Sequence, residues 1–102
     1  MYIAMNRFHV AIGRELEFER VWRERERHLD QVPGFRTFRL LRGESGEQAT
    51  LFISHSEWDS AAAFEAWTES ESFAKAHQHA RTPSGVLLGH PEFEGFEVVL
   101  TR

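Results

Sequence analysis

The strongest constraint on the fold of this chain is the order of its segments with strand-like and helix-like spacing of apolar residues. Residues 2–10 alternate between the two faces of a strand and place apolar side chains on both of them. Residues 14–29 then repeat apolar side chains at the spacing of a helix, and charged residues occupy the opposite side. Two strand-like segments follow at residues 35–42 and 48–56, and the glycines between them predict a hairpin.

The second half of the chain repeats the change from helix to strand. Asp59 or Ser60 can cap a helix over residues 61–67, because both side chains accept hydrogen bonds from the free N–H groups of a first helical turn. Ser70 can cap a further helical segment over residues 71–80 in the same way. The run Thr-Pro-Ser-Gly that follows is predicted to end this segment.

A last strand over residues 92–100 completes the order βαββαβ. This order is typical of the ferredoxin-like fold, an α+β architecture in which helices cover one face of an antiparallel sheet. The length of 102 residues suits a single domain spanning residues 1–102. Because the first strand is apolar on both faces, we expect a second subunit to cover the face that the helices leave open. The pattern therefore predicts a homodimer.

Charge and cysteine content exclude several classes of function. The net charge is −4 and acidic and basic residues are mixed along the chain, so a nucleic-acid-binding surface is not expected. The absence of cysteine excludes disulfides, thiolate catalysis and iron–sulfur clusters. The first residues lack the regions of a signal peptide, and no apolar run approaches the length of a membrane span. These features predict a cytoplasmic protein that binds neither nucleic acid nor membrane.

Three residues form the most informative chemical pattern. Asn6 lies in the first predicted strand, Trp67 ends the second predicted helix, and His77 follows ten residues later. A neutral imidazole can bind iron, a rigid indole can press on a flat ligand, and an uncharged amide can orient a polar ligand. Together they suggest a haem pocket in which the His77 imidazole could bind the iron. The structural alternatives are a packed histidine, a core tryptophan and an asparagine bonded to a backbone carbonyl.

Two further residues are predicted to contact the ligand. Phe73 lies four residues before His77, on the same face of the predicted helical segment. Arg25 interrupts the apolar side of the first predicted helix, where an inward guanidinium needs a compensating anion such as a haem propionate. The alternative for Arg25 is that its stem packs while its charged end reaches water.

The sequence around these residues resembles the IsdG-type haem-degrading monooxygenases of the antibiotic biosynthesis monooxygenase superfamily. Asn6, Trp67 and His77 fall on the positions of the catalytic Asn, Trp and His of those enzymes. Pro33-Gly34-Phe35 before the second strand, Phe-x-x-Trp ending at Trp67, and His-x-His-x-Arg from His77 also match. The resemblance covers nearly the whole chain and is weakest at residues 82–91.

The resemblance implies a homodimeric α+β barrel that binds one haem per subunit and uses haem as both substrate and cofactor. It also implies that His77 holds the iron, Asn6 orients the distal ligand and Trp67 forces the porphyrin out of plane. Oxidation of a meso carbon by O2 then opens the ring and releases iron. Electrons are expected from an external reductase or a small reductant, because the chain has no flavin or nicotinamide motif.

Three other functions are compatible with the same residues. The first is a cofactor-free oxygenase of the same superfamily, which would act on a quinol or a polyketide aromatic in the aromatic-lined pocket. The second is a haem-binding or haem-transfer protein without turnover. The third is a small structural barrel without a site.

Overall fold

The computed structural model describes residues 1–25, 29–70, 73–74 and 82–102 of the chain. Its elements are β1 (Tyr2–Ala11), α1 (Glu15–Glu24), a 3-10 turn (Leu29–Gln31), β2 (Phe35–Ser45), β3 (Ala49–Trp58), α2 (Ala61–Thr68) and β4 (Glu92–Glu97). The predicted order βαββαβ is therefore confirmed.

The four strands form one antiparallel sheet in the order β2-β3-β1-β4. Strand alternation divides its side chains between two faces. The inner face contacts the helices and carries, on the two central strands, Ala4, Asn6, Phe8, Val10, Thr50, Phe52, Ser54, Ser56 and Trp58. The outer face carries the apolar side chains of Ile3, Met5, Leu41, Leu51, Ile53 and Phe96. Both faces of the sheet thus carry apolar side chains, as the sequence predicted, and the outer face also carries the ion pairs Arg7–Glu94 and Arg39–Glu57.

Helix α1 packs its apolar side on the inner face and is shorter than predicted. Phe18 is fully buried, and its ring centroid lies 5.2 Å from that of Phe8. The helix ends at Glu24, because Arg25 has an extended backbone with ψ of 132°. The predicted end at residue 29 is wrong, since residues 23–28 are all polar and give the next turn no apolar side chain to pack on the sheet.

The β2–β3 hairpin turns around Gly46, whose N–H donates to the carbonyl of Ala49 at 2.7 Å. Both strands extend further than predicted, and Gly43 lies inside β2 rather than in the turn. The hairpin is tied to the start of α1, because the buried Thr50 hydroxyl donates to Glu15 at 2.9 Å. Hydrogen bonds from its own backbone N–H and from Thr50 hold the pKa of the Glu15 carboxyl below its usual value.

Helix α2 begins at Ser60, whose hydroxyl accepts a hydrogen bond from the N–H of Ala63 at 3.1 Å. Of the two predicted caps, Ser60 is therefore the one that is used, and Asp59 instead pairs with Arg36 at 2.6 Å. In the described part of the chain, no helix combines the length and the apolar character that crossing a membrane requires.

The segment after residue 82 returns to the sheet beside β1. The N–H of Ala11 donates to the carbonyl of Val86, and the N–H of Leu88 donates to the carbonyl of His9, both at 2.8 Å. Strand β4 then follows β1 but ends at Glu97, three residues before the predicted end at residue 100. Glu97 lies opposite Tyr2, the first residue of β1, and beyond this pair the N–H of Val98 donates to the carbonyl of Met1 at 2.9 Å.

Gly95 of β4 is expected to be a site of high sensitivity to mutation. A Cβ atom at this position would lie 1.8 Å from the Tyr2 hydroxyl oxygen and 2.6 Å from its Cζ. The Tyr2 ring is itself packed on Phe64, at 5.6 Å between centroids. Gly95→Ala should therefore lower the free energy of unfolding by about 1–3 kcal/mol, as overpacking does. Urea denaturation measures this, with Gly46→Ala as the control, because its Cβ would meet its nearest atom at 3.6 Å. Equal losses in the two variants would contradict the prediction.

Candidate functional site

Asn6 lies near the middle of the inner face. Its neighbours on that face of β1 are Ala4 and Phe8, both buried. Ser54 of β3 and Phe93 of β4 lie directly opposite it on the two adjacent strands. The half-buried Asn6 amide makes no side-chain hydrogen bond within the described residues, so the backbone carbonyl considered as its structural partner is not used there.

Two aromatic clusters flank Asn6 along the inner face. The first, the α1 cluster, consists of Phe8, Phe18, Trp22, Phe38 and Phe52, whose successive ring centroids lie 5.1–6.2 Å apart. The second, the α2 cluster, consists of Tyr2, Phe35, Trp58, Phe64, Trp67, Phe73 and Phe93, whose successive ring centroids lie 4.8–6.1 Å apart. An uncharged amide between two groups of aromatic rings is an arrangement that suits a flat apolar ligand with one polar group near its centre.

Trp67 lies in the last turn of α2 and is half-buried. Its ring packs on Trp58 with 5.3 Å between centroids and a tilt of 32°. Phe73 meets the same indole edge-on at 4.8 Å and 89°. The Trp67 ring is therefore held by its contacts with the rings of Trp58, Phe64 and Phe73.

Trp58 supports this arrangement from within the core. It is fully buried, and its indole N–H donates to the Ser56 hydroxyl at 2.9 Å. The Ser56 hydroxyl in turn donates to the backbone carbonyl of Ala4 at 3.4 Å. This chain of contacts connects the Trp67 ring to the backbone of the central strand.

Ser70 links Trp67 to Phe73. Its hydroxyl donates to the Trp67 carbonyl at 2.5 Å and accepts a hydrogen bond from the N–H of Phe73 at 3.2 Å. The Ser70 hydroxyl thus accepts the hydrogen bond predicted for a cap, whereas the predicted helical segment over residues 71–80 lies outside the described residues apart from residues 73–74. His77, the predicted iron ligand, lies outside the described residues, and so does His79.

Arg25 lies at the end of α1, not inside the helix as the sequence predicted. Its guanidinium carbon is 4.0 Å from the centroid of the Trp22 ring, which is cation–π distance. Trp22 also stacks on Phe38 at 5.5 Å. Burial lowers the pKa of the Arg25 guanidinium. The side chain therefore carries its charge to a partly dry position beside the α1 cluster.

Sequence reasoning missed three residues that the structure brings to the site: Ser54, Trp58 and Phe93. Trp58 lay beyond the predicted end of its strand, although alternation from Phe52 would have placed it on the inner face. Ser54 and Phe93 are neighbours of Asn6 only through the cross-strand register. Phe93 stacks on Phe64 with 5.6 Å between centroids and 4° between planes, and 52% of it is exposed.

Comparison with known proteins assigns the chain to a family. Residues 1–79 match the model of the antibiotic biosynthesis monooxygenase family. The chain belongs to this family. The match confirms the superfamily that Asn6, Trp67 and their flanking residues indicated.

Relatives of this family member include haem-degrading enzymes. A heme oxygenase (mycobilin-producing) of Mycobacterium tuberculosis is 34% identical to it over 98 residues, which cover 96% of this chain and 89% of that protein. The solved structure of the heme degrader MhuD of Mycobacterium tuberculosis, with two hemes bound in its active site, matches with a TM-score of 0.78 at 30% identity. That match covers 100% of this chain and 99% of the other. The IsdG-type resemblance and the ferredoxin-like α+β fold are thereby confirmed.

A more distant family member shares the fold alone. SnoaB, a cofactor-independent oxygenase from Streptomyces nogalater, matches with a TM-score of 0.67 at 18% identity, over 98% of this chain and 95% of that chain. The architecture is therefore common to proteins that differ in their use of cofactors, and the function depends on the residues placed on it.

Proposed function

We propose that this family member is a haem-degrading monooxygenase, which oxidatively opens the porphyrin ring and releases iron. The structural observation that carries the proposal is the Asn6 amide, which lies between two aromatic clusters and has no hydrogen-bond partner among the described residues. A flat macrocycle suits the aromatic rings, and the polar centre of that macrocycle suits the amide. The identity of 34% to an enzyme named as a heme oxygenase supports the same assignment.

The proposed roles of the residues follow from their positions. Asn6 donates a hydrogen bond to the small ligand bound on the distal side of the haem. Trp67, which contacts Trp58 and Phe73, would press on the ring of a bound haem and distort it. Arg25, whose charge is partly desolvated, pairs with a propionate through charge-assisted hydrogen bonds. His77 is proposed as the axial ligand on the basis of the sequence pattern.

The haem supplies the iron at which O2 is activated for attack on a meso carbon. The protein binds the ring, orients the distal ligand and excludes water with its aromatic side chains. The electrons are proposed to come from an external reductase or a small reductant in the cytoplasm, because the sequence contains no motif for a flavin or a nicotinamide.

A single spectroscopic experiment tests this function. Titration of the protein with haem should produce a Soret band that saturates at one haem per subunit, and addition of O2 and a reductant should remove the band and release iron. Absence of a Soret shift would contradict haem binding and favour a cofactor-free oxygenase or a structural barrel. A band that persists under turnover conditions would instead favour a haem-binding or haem-transfer protein.

We also propose that the protein is a homodimer that buries the outer face of the sheet. The described helices contact the inner face, whereas the outer face presents six apolar side chains, of which Leu41 and Phe96 are 38% and 40% exposed. Val99 and Leu100, which follow β4, are 92% and 67% exposed. Pairing with a copy of itself across a two-fold axis would bury these apolar side chains, while the ion pairs Arg7–Glu94 and Arg39–Glu57 of the same face satisfy its charged groups.

The proposed dimer predicts that Ile53→Asp dissociates the protein. Ile53 lies on β3 between Arg7 and Leu41 of the adjacent strands, near the centre of the outer face. A carboxylate there would be desolvated in the interface, so the equilibrium should shift to monomer. Sedimentation velocity at micromolar concentration measures the shift. Leu16→Asp is the control, because Leu16 is 71% exposed on α1 and should leave the dimer intact. A wild-type protein that sediments as a monomer would contradict the proposal.

A further inference from the structure

Ser54 is a buried polar residue beside Asn6. It lies on the inner face of β3 and is only 7% exposed. The register places it directly opposite Asn6, where paired residues have Cβ atoms about 4.5–5.5 Å apart. Within residues 1–25, 29–70, 73–74 and 82–102, its side chain makes no hydrogen bond. The Ser54 oxygen is not among the fully enclosed polar atoms of the described residues, so it keeps access to solvent, and thus to a ligand, at the inner face.

The other hydroxyl groups on the inner face of β3 are accounted for by the fold. Thr50 donates to Glu15 at 2.9 Å. Ser56 accepts from the indole of Trp58 at 2.9 Å and donates to the carbonyl of Ala4 at 3.4 Å. Each of these two hydroxyl groups stabilises the packing of neighbouring elements, whereas Ser54 contributes no such contact in the described part of the chain. The packing of this strand therefore gives no reason for a polar residue at position 54.

We propose that Ser54 and Asn6 together form a two-donor hydrogen-bonding site for the small distal ligand, so that Ser54 is a second ligand-binding residue beside Asn6. A serine hydroxyl carries one donor that can rotate toward an acceptor, and the Asn6 amide carries two donors. Donors from two adjacent strands can both point at one small acceptor. The two N–H bonds of a single amide diverge from the same nitrogen, so only one of them can point at that acceptor. This inference rests on the proposed function, because the ligand in question is the one bound to haem iron.

Azide is the probe for this site, since it binds ferric haem and its terminal nitrogen accepts hydrogen bonds. Ser54→Ala should weaken azide binding to the haem-loaded protein by about tenfold, the loss that corresponds to one hydrogen bond. Haem affinity should be unchanged. In the protein without haem, Ser54→Ala should leave the urea midpoint nearly unchanged, because the hydroxyl that it removes makes no hydrogen bond within the described residues.

Thr50→Val is the matched control, since it removes a buried hydroxyl from the same face of the same strand. That hydroxyl is bonded to Glu15, so this variant should lower the urea midpoint and leave azide affinity unchanged. The inference is overturned if Ser54→Ala retains wild-type azide affinity, or if it destabilises the protein as much as Thr50→Val does. A wild-type protein that binds no haem would overturn the proposed function and this inference together, whereas haem binding with unchanged azide affinity overturns the inference alone.

Discussion

His77→Ala is expected to abolish the degradation of haem while the protein remains folded. The variant removes the imidazole that is proposed as the only axial protein ligand, so the iron loses its fixed position above the distal donors. The folded domain should persist, because the described core is formed by other residues, such as Phe18, Phe52 and Trp58. Absorption spectra of the haem complex and the decay of the Soret band under O2 and reductant measure the effect.

His79→Ala is the control for this variant. On an ideal helix, His79 would lie about 200° around the axis from His77, so the two side chains cannot bind the same iron from one side. We therefore expect His79→Ala to keep the wild-type spectrum and rate. A His77→Ala protein with an unchanged spectrum and full activity would show that the ligand is assigned to the wrong residue.

Asn6→Ala is expected to retain haem but to slow its degradation by about 100- to 1000-fold, the loss typical of removing one preorganised donor from an active site. The reason is that the amide acts on the distal ligand during reaction more than on the resting complex. Asn6→Asp provides a second test, since the carboxylate has nearly the same shape but cannot donate. Single-turnover decay of the Soret band measures the rate, and haem titration measures the affinity. Equal losses in rate and affinity would instead indicate a structural role for Asn6.

The order of elements could be predicted from the sequence because hydrophobic periodicity is a local property. Residues 2–10 showed both faces of β1, and the strand alternation placed Asn6 on the same side as Ala4 and Phe8. The end of α1 could not be predicted in this way. Whether a charged helical turn continues depends on the contacts that the sheet offers to it. In this chain the helix stops, because the backbone of Arg25 is extended.

The sequence predicts single residues of the candidate site, but not which residues of distant strands lie beside them. Asn6, Trp67 and Phe73 were proposed from residue type, spacing and the family resemblance, and the structure places Trp67 and Phe73 in direct contact. Ser54 and Phe93 were missed because they reach Asn6 through the pairing of strands that are distant in sequence. The register of such strands depends on turn geometry and on packing across the sheet, which a linear pattern does not specify.

The support of Trp67 by Trp58 has a mechanical consequence for the proposed reaction. A force applied to the exposed side of the Trp67 indole passes to Trp58, from its N–H to Ser56, and then to the backbone of the central strand. Close-packed interiors have low compressibility, so this path is stiff. A planar ligand that is pressed against a stiffer support bends more than the support does. If haem lies against Trp67 as proposed, we expect any deformation to appear mainly in the porphyrin and not in the protein.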